Sequence, residues 1–342
     1  MTNDATKTTS TDRFSLINKF LSELLPNHQD LIPLDQDASF RRYFRVHDSD
    51  RTFILMDAPP DTESVADFIK VDLHLASIGL RVPEIIYQDI ENGILLLEDL
   101  GNNTFTRLLN SGENEEDLYV HAIESLLTLH QRCASTNIDV PVYDQTLLLK
   151  EASLLTDWLY PLLHGNNLTS AQIQHYRNIW IDIFETLPTQ QSALVLRDFH
   201  VDNLLLVNSK IGTECALLDF QDALIGSPAY DLVSLLQDAR RDLLPGLEEK
   251  MLALYFSTMK KTNQHDFNHW YVTLAAQRHA KVLGIFSRLH LRDNKSKYLE
   301  HLPRVYRLLK NTFQHTWMRP LEDWVEEHLG DHPLLNTSHK QP

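Results

Sequence analysis

The chain has 342 residues, of which 43% are hydrophobic and 23% are charged, so it is long and apolar enough to fold into two globular lobes. Its net charge of −16 argues against general binding to nucleic acid or to anionic membranes, because both require a basic surface. The N-terminal residues are polar, no apolar run approaches membrane-spanning length, and the two cysteines, Cys133 and Cys215, do not suggest disulfides. We therefore expect a monomeric protein of the cytoplasm.

The N-terminal part of the chain combines short strands with two helices. Residues 1–12 are rich in Thr, Ser and Asp and are expected to form a disordered tail, whereas residues 14–25 have apolar positions at helical spacing. The elements predicted after them are strands over 39–46 and 52–57, a helix over 64–78, and a hairpin of 84–89 and 94–97 around the turn 91–93. Residues 13–98 are therefore predicted to form a small β-rich lobe.

From Thr104 onward the pattern is helical, with one interruption. Short apolar runs bounded by polar turns lie between residues 194 and 219, and they predict buried strands. Residues 99–342 are therefore expected to form a larger, mostly helical lobe, joined to the first lobe at residues 98–101. The predicted fold class is α+β, with the β-rich lobe first.

Three polar residues stand at the ends of these predicted buried strands: Asp198, Asn203 five residues later, and Asp219 sixteen residues after that. The first carboxylate can accept the proton of an attacking hydroxyl, while the amide and the second carboxylate can hold Mg²⁺ against the phosphates of ATP. An Asp-x4-Asn spacing alone is common and is also typical of a helix N-cap or a turn. The flanking strands favour a phosphoryl-transfer site, where positioning and charge neutralisation matter most.

Further motifs occur in a consistent order, and several ordered motifs are more specific than any single one. They occupy residues 37–46, 55–60, 95–101, 196–203, 218–223, 226–232 and 277–286. Together they resemble the aminoglycoside phosphotransferase (kinase-like) superfamily, most closely its bacterial branch of anomeric N-acetylmuramate/N-acetylglucosamine kinases. The resemblance implies a bilobal protein-kinase-like fold, ATP and Mg²⁺ as cofactors, Asp198 as the catalytic base, and Asn203 and Asp219 as metal ligands.

The resemblance also implies that the first lobe binds the nucleotide. Adenine would hydrogen-bond to the backbone near the junction of the lobes, where Leu96, Glu98 and Leu100 are the candidates; an ordinary strand end is the alternative. The hairpin that is glycine-rich in protein kinases contains no glycine here. Its turn could still offer the Ser39 hydroxyl and backbone N–H groups to phosphates.

Met56 occupies the position at which kinases carry a phosphate-binding lysine. Arg41, Arg42 or Arg45 on the preceding strand could supply the missing cation, or all three could be exposed strand arginines. Arg41 and Arg42 point to opposite faces if the strand is extended, so we expect one of these two to face the cleft. Leu196 replaces the histidine that usually precedes the catalytic aspartate, without removing a ligand.

Only twelve residues separate Asp219 from Asp231. This interval is too short for the activation loop and Ala-Pro-Glu anchor of a protein kinase, so a small-molecule acceptor is favoured. Asp231 opens an apolar helical run and is expected to cap that helix or to brace the catalytic loop.

Four candidate substrate-binding residues are Arg197, His200 and Asp202 beside the catalytic motif, and Glu151 on a predicted helix of the larger lobe. Each could equally be structural. The acceptor, an amino sugar phosphorylated at its anomeric hydroxyl during peptidoglycan recycling, is implied by the resemblance and not by these residues.

Two alternatives stay open at this point. The chain could be a kinase of another small acceptor, such as an aminoglycoside or a choline-like amine, or a non-catalytic pseudokinase, for which Met56 is the main support. The mildly basic stretch from Arg278 to Arg307, which includes Lys281, is interpreted as the solvated face of a helix pair.

Overall fold

The computed structural model describes residues 5–34, 41–61, 63–132, 138–209, 212–260, 262–330 and 332–336. The first lobe is an antiparallel sheet of five strands in the order β1-β2-β3-β5-β4, accompanied by two helices. Its elements are α1 (Ala5–Leu24), β1 (Ile32–Pro33), β2 (Arg42–Asp48), β3 (Arg51–Asp57), α2 (Val65–Ser77), β4 (Ile85–Asp89) and β5 (Ile94–Glu98).

Strands β2 to β5 form within three residues of the bounds that alternation and turn chemistry predict, whereas β1 was not predicted. β2 alternates buried and half-buried residues, whereas β5, which lies between β3 and β4, is buried along most of its length. Gly93 closes the β4–β5 hairpin with φ +64°, and a Cβ atom there would lie 2.0 Å from the carbonyl oxygen of Ala58. Only glycine fits this turn.

Helix α1 begins earlier than the sequence pattern predicted. It starts at Ala5, so the backbone of residues 5–12 is helical rather than part of a tail, while residues 1–4 lie outside the described ranges. The upstream segment contains neither proline nor glycine, so nothing in it stops the helix. The apolar residues Ile17 and Leu21 anchor the helix against the sheet.

The second lobe is mostly helical and contains two small antiparallel sheets, the pair β6 with β9 and the hairpin of β7 with β8. Its elements are α3 (Phe105–Asn110), α4 (Glu115–Arg132), α5 (Gln145–Ala152), α6 (Tyr160–His164), α7 (Ser170–Glu185), β6 (Ala193–Val195), β7 (Leu204–Ser209), β8 (Gly212–Leu217), β9 (Leu224–Gly226), α8 (Ala229–Leu236), α9 (Leu247–Thr258), α10 (Gln264–Leu291), α11 (Leu302–Asn311), α12 (Arg319–His328) and α13 (Pro333–Asn336). The predicted α+β fold with a β-rich lobe before a helical lobe is therefore confirmed. Among the described helices, none has the length and apolar character that crossing a membrane requires.

Helix α10 is the central element of the second lobe. It has 28 residues, and most of those between Tyr271 and Leu289 are buried. Gly284 allows the close approach of a π-helical turn, Leu155–Leu159, because a Cβ atom at this glycine would lie 2.3 Å from the backbone of Leu154. The strands β6 to β8 pack in the same core, and Cys215 in β8 is buried, as a structural thiol should be.

Candidate active site

The segment that contains Asp198 and Asn203 meets the segment that contains Asp219. Asp198 follows β6, and the side-chain amide of Asn203 donates to the carbonyl oxygen of Asp198 at 2.9 Å. The same amide nitrogen lies 3.4 Å from a carboxylate oxygen of Asp219. The N–H of Leu218 donates to the carbonyl oxygen of Asn203 at 2.9 Å, which fixes the two turns to each other. The three residues singled out by spacing are therefore neighbours.

Asp231 braces the turn at residues 196–198, which carries the proposed catalytic base and is called the catalytic turn below. Its buried carboxylate accepts the backbone N–H groups of Leu196 at 2.7 Å and Arg197 at 2.8 Å, so the expected bracing role is confirmed. Arg197 has φ +71°, a left-handed conformation that is unfavourable for any residue with a Cβ atom. The hydrogen bonds from Asp231 hold the backbone in that conformation.

Two of the four candidate substrate residues pair with each other. The Arg197 guanidinium donates to the Glu151 carboxylate, which also accepts the Tyr143 hydroxyl, the Lys281 ammonium at 2.9 Å and the Gln277 amide at 3.5 Å. Glu151 is 7% exposed. Burial alone would raise the pKa of Glu151, but Lys281 and Arg197 outweigh it and lower that pKa. Glu151 is therefore an internal anion that holds Arg197.

Arg278 and Lys281 correct one prediction, because they are not on a solvated face. They are 8% and 6% exposed, on the side of α10 that lies against the catalytic turn. Arg278 reaches within 3.6 Å of the Asp198 carboxylate, and Lys281 pairs with Glu151. The signal in the sequence was two cations three residues apart, on one helical face, within a mostly apolar stretch.

The carboxyl groups of Asp198 and Asp219 have opposite electrostatic environments. Burial would raise the pKa of Asp198, but the cations Arg278 and Lys281 are the strongest of several that outweigh it and lower the pKa to about 2. Burial and the neighbouring charge of Asp198 raise the pKa of Asp219, and its contacts with Gln221 and Arg41 oppose this only in part. Asp198 is thus ionised at neutral pH, and Asp219 lies where an added cation would be stabilising.

The first lobe brings one of its arginines to this site. Arg41 is buried, pairs with Glu63 at 3.0 Å, and has a guanidinium nitrogen 3.9 Å from the Asp219 carboxylate. Arg42 pairs instead with Asp57, so the expected opposition of the two faces is observed and Arg41 is the cleft residue.

Two other residues of the β2–β3 hairpin, Arg45 and Met56, have partners elsewhere in the protein. Arg45 pairs with Asp99. Met56 is fully buried in the core. Ser39, predicted to bind phosphate, lies outside the described residues.

Asp202 faces another part of the second lobe. His200 is buried, and Asp202 accepts the hydroxyl of Thr106 and lies 3.3 Å from the Arg240 guanidinium. These contacts fix the segment after Asp198 to α3 and to the chain after α8. A role for either residue in substrate binding remains a prediction.

The three adenine candidates lie at the end of β5 and just beyond it. Leu96 is buried and pairs with both neighbouring strands. The N–H of Glu98 donates to the carbonyl oxygen of Glu84 at 2.8 Å, so it is used within the sheet. Leu100 packs against the β7–β8 hairpin of the second lobe. Their contacts with adenine remain a prediction.

A small antiparallel sheet, a helical lobe, and Asp198, Asn203 and Asp219 gathered at one place define a kinase-like phosphotransferase. The model of the phosphotransferase enzyme family matches residues 30–265, and the chain belongs to this family.

Known proteins similar to this chain agree with that family. A protein of Pseudomonas aeruginosa named N-acetylmuramate/N-acetylglucosamine kinase is 34% identical over 87% of this chain and 91% of its own. A protein of the same name from Neisseria meningitidis is 34% identical over 93% of this chain and 96% of its own. Among solved structures, choline kinase LicA from Streptococcus pneumoniae has a TM-score of 0.62 at 15% identity, covering 88% of this chain and 99% of LicA. LicA has also been solved in complex with AMP.

Proposed function

We propose that the protein is an ATP-dependent kinase that phosphorylates the anomeric hydroxyl of N-acetylmuramate and N-acetylglucosamine in peptidoglycan recycling. Two observations carry the proposal together, the similarity to named relatives and the arrangement of the site residues. Relatives of that name match the chain almost end to end at 34% identity, and the residues that such chemistry needs gather in one cleft. The shared fold with LicA, solved with AMP, supports a nucleotide as the phosphoryl donor.

Asp198 is the proposed general base. An anomeric hydroxyl is more acidic than an ordinary alcohol, so a single carboxylate suffices to accept its proton. The cations around Asp198 keep the carboxylate ionised, and the turn fixed by Asp231 presents it to the cleft. In this role Asp198 touches the acceptor hydroxyl and not the nucleotide.

Asn203 and Asp219 would hold Mg²⁺. Within the described part of the chain, both side-chain hydrogen bonds of Asn203 use its nitrogen, which leaves its oxygen for a metal, and the Asp219 carboxylate is half exposed. Mg²⁺ prefers hard oxygen ligands and commonly takes one or two protein groups together with phosphate oxygens, so this donor set fits. When bound, Mg²⁺ neutralises charge on the phosphates. The raised pKa of Asp219 fits a carboxyl group whose partner is a cation.

Arg41 is proposed to replace the lysine missing at Met56. It is the arginine of β2 and its flank that approaches Asp219, and Glu63, two residues before α2, orients its guanidinium. An arginine held by a carboxylate can supply fixed positive charge to phosphates as a lysine would. This arrangement weighs against the pseudokinase alternative.

The electrostatics beside Asp198 also weigh against an amine acceptor. The groups that lower its pKa include three cationic side chains, those of Arg278, Lys281 and Arg197. A positively charged acceptor would be repelled there, whereas a neutral sugar, or one bearing a carboxylate, would not.

The acceptor is tested by phosphorus NMR of the products formed from each sugar and from its 1-O-methyl glycoside. Both free sugars should be phosphorylated and both glycosides should not, because the methyl group removes the proton that Asp198 accepts and fills the in-line position. Asp198→Asn is the matched control and should leave the free sugars unchanged. Equal phosphorylation of sugars and glycosides would rule out the anomeric position, and turnover with amines alone would favour the other class of kinase.

A further inference from the structure

We propose that Arg278 is a positioning residue for the catalytic base, an inference that rests on the proposed kinase function. Its guanidinium is buried, with one nitrogen 3.6 Å from a carboxylate oxygen of Asp198. This distance is beyond a direct hydrogen bond, so the contact is one of charge. The other terminal nitrogen donates to the carbonyl oxygen of Arg197 at 2.9 Å and to the Tyr230 hydroxyl at 3.1 Å.

The carbonyl that Arg278 holds belongs to the peptide unit that aims Asp198. The N–H of the same planar unit, that of Asp198, donates to the carbonyl oxygen of Leu196 at 2.9 Å. Both ends of the unit are therefore fixed, one by Arg278 and the other by the turn itself. Because this plane sets the direction of the Asp198 side chain, losing the bond from Arg278 would let the carboxylate rotate away from the acceptor.

The turn needs such a constraint because Arg197 is in a left-handed conformation, with φ +71°. Backbone of this kind persists only where the surroundings over-determine it. Asp231 secures the N–H of Arg197, Glu151 secures its side chain, and Arg278 secures its carbonyl oxygen. Arg278 is the member of this set that also faces the Asp198 carboxylate, so it links the shape of the turn to the charge of the base.

The guanidinium is itself held in place. Its central carbon lies 5.2 Å from the centre of the Tyr230 ring, whose hydroxyl it also contacts. Lys281, one turn further along α10, lies 3.4 Å from the same hydroxyl and pairs with Glu151. A lysine at position 278 would keep the charge but not two fixed bonding directions, because only arginine has a rigid planar fork.

The experiment compares Arg278→Gln and Arg278→Lys with the wild-type full-length protein, using N-acetylglucosamine and ATP. Arg278→Gln should lower kcat about 10²-fold, the scale expected when a reacting group is misplaced by about 1 Å. The Kd for ATP, measured without acceptor, should stay within about twofold, because Arg278 contacts the base and not the nucleotide. The kcat of Arg278→Lys should lie between those of the wild type and Arg278→Gln. A third variant, Arg278→Ala, should regain part of its turnover when guanidinium ion is added.

Arg288→Gln is the matched control, since Arg288 lies on the same helix but faces Arg292 and Asp293. It should keep wild-type kcat. A wild-type kcat in Arg278→Gln would overturn the proposal, and so would a loss confined to ATP affinity. If Arg278→Gln does not fold, a wild-type kcat in Arg278→Lys would overturn it equally. Failure of the proposed function looks different, because the wild-type protein itself would then leave both sugars unphosphorylated.

Discussion

At the scale of single residues, unfavourable backbone conformations occur in the turns that carry Asp198 and Asp219. Arg197 and Asp219 are both non-glycine residues with positive φ, 71° and 58°. Each such residue costs about 1–3 kcal/mol and needs support from its surroundings. The support is visible: Asp231 bonds the backbone around Arg197, and the Gln221 amide bonds the Asp219 carboxylate at 2.8 Å. The unfavourable conformations therefore lie at Asp219 and directly before Asp198, where the backbone sets the direction of a carboxylate.

A further unfavourable residue, Asp72, lies outside these turns. It is buried in α2, and one of its carboxylate oxygens has no hydrogen-bond partner among the described residues. Burial raises its pKa from 3.8 to about 7. The folded protein therefore binds this proton more tightly than the unfolded chain, and the stability that this provides is lost as the pH rises from 3.8 through about 7.

Asp72→Asn should remove that loss. The variant should be more stable than the wild type at pH 8 by on the order of 2 kcal/mol more than at pH 5, measured by urea unfolding. Asp67→Asn is the control, because Asp67 is exposed on the same helix and pairs with Lys70. Its effect should stay within about 0.5 kcal/mol at both pH values. A constant difference between Asp72→Asn and the wild type across this range would contradict the argument.

At the scale of elements, the local sequence pattern predicted strands and helices but not which of their faces other segments cover. Strands β2, β3 and β5 lie where alternation and turns put them, because a strand's buried face and its hairpin turn are both encoded locally. The basic face of α10 was misjudged for the opposite reason. A helical period shows that Arg278 and Lys281 share a face, but not that Asp198 and Glu151 cover it from segments far away in the chain.

The β2 strand and its flank allow a sharp test, since Arg41 and Arg42 are adjacent in sequence but contact different partners. Arg41→Gln should raise the KM for ATP about tenfold or more, because it removes a charged partner of the phosphates. Arg42→Gln should leave that KM unchanged, since Arg42 contacts Asp57 and not the cleft. Steady-state kinetics with ATP as the varied substrate separates the two.

The loss of Arg42 should appear instead as reduced stability. Asp57 keeps Arg13 as its remaining partner, so the protein should still fold. Equal KM values for ATP in the two variants would show that Arg41 does not reach the nucleotide. A wild-type KM for ATP in both variants would show that neither arginine replaces the phosphate-binding lysine that is missing at Met56.

At the scale of the whole molecule, the Asp219 turn lies between the lobes. Phe220 packs against Phe68 of α2 with ring centres 5.1 Å apart, and Arg41 approaches Asp219 from the same lobe. The N–H of Leu217 donates to the carbonyl oxygen of Arg81 at 2.9 Å, joining β8 to the first lobe. The residue types of the site could be predicted from spacing, whereas these contacts between distant segments could not.

Because its proposed ligands come from both lobes, bound nucleotide should stabilise the folded protein as a unit. With MgATP at about 100 times its Kd, linkage gives about 2.7 kcal/mol, or a rise in Tm of about 5 °C for a chain of this size. ATP with EDTA should give a smaller rise, since Asn203 and Asp219 then have no cation to share with the phosphates. Differential scanning fluorimetry measures both.

Asp219→Asn isolates the metal-dependent part of this stabilisation. The variant should have a Tm near that of the wild type without ligand, because the Asp219 carboxylate is half exposed and its raised pKa means that its charge does not favour folding. It should also respond equally to ATP with Mg²⁺ and to ATP with EDTA, whereas Asp67→Asn should behave as the wild type. If Asp219→Asn kept the full magnesium-dependent rise, the metal would be held elsewhere, and the phosphoryl-transfer role of the second catalytic turn would have to be abandoned.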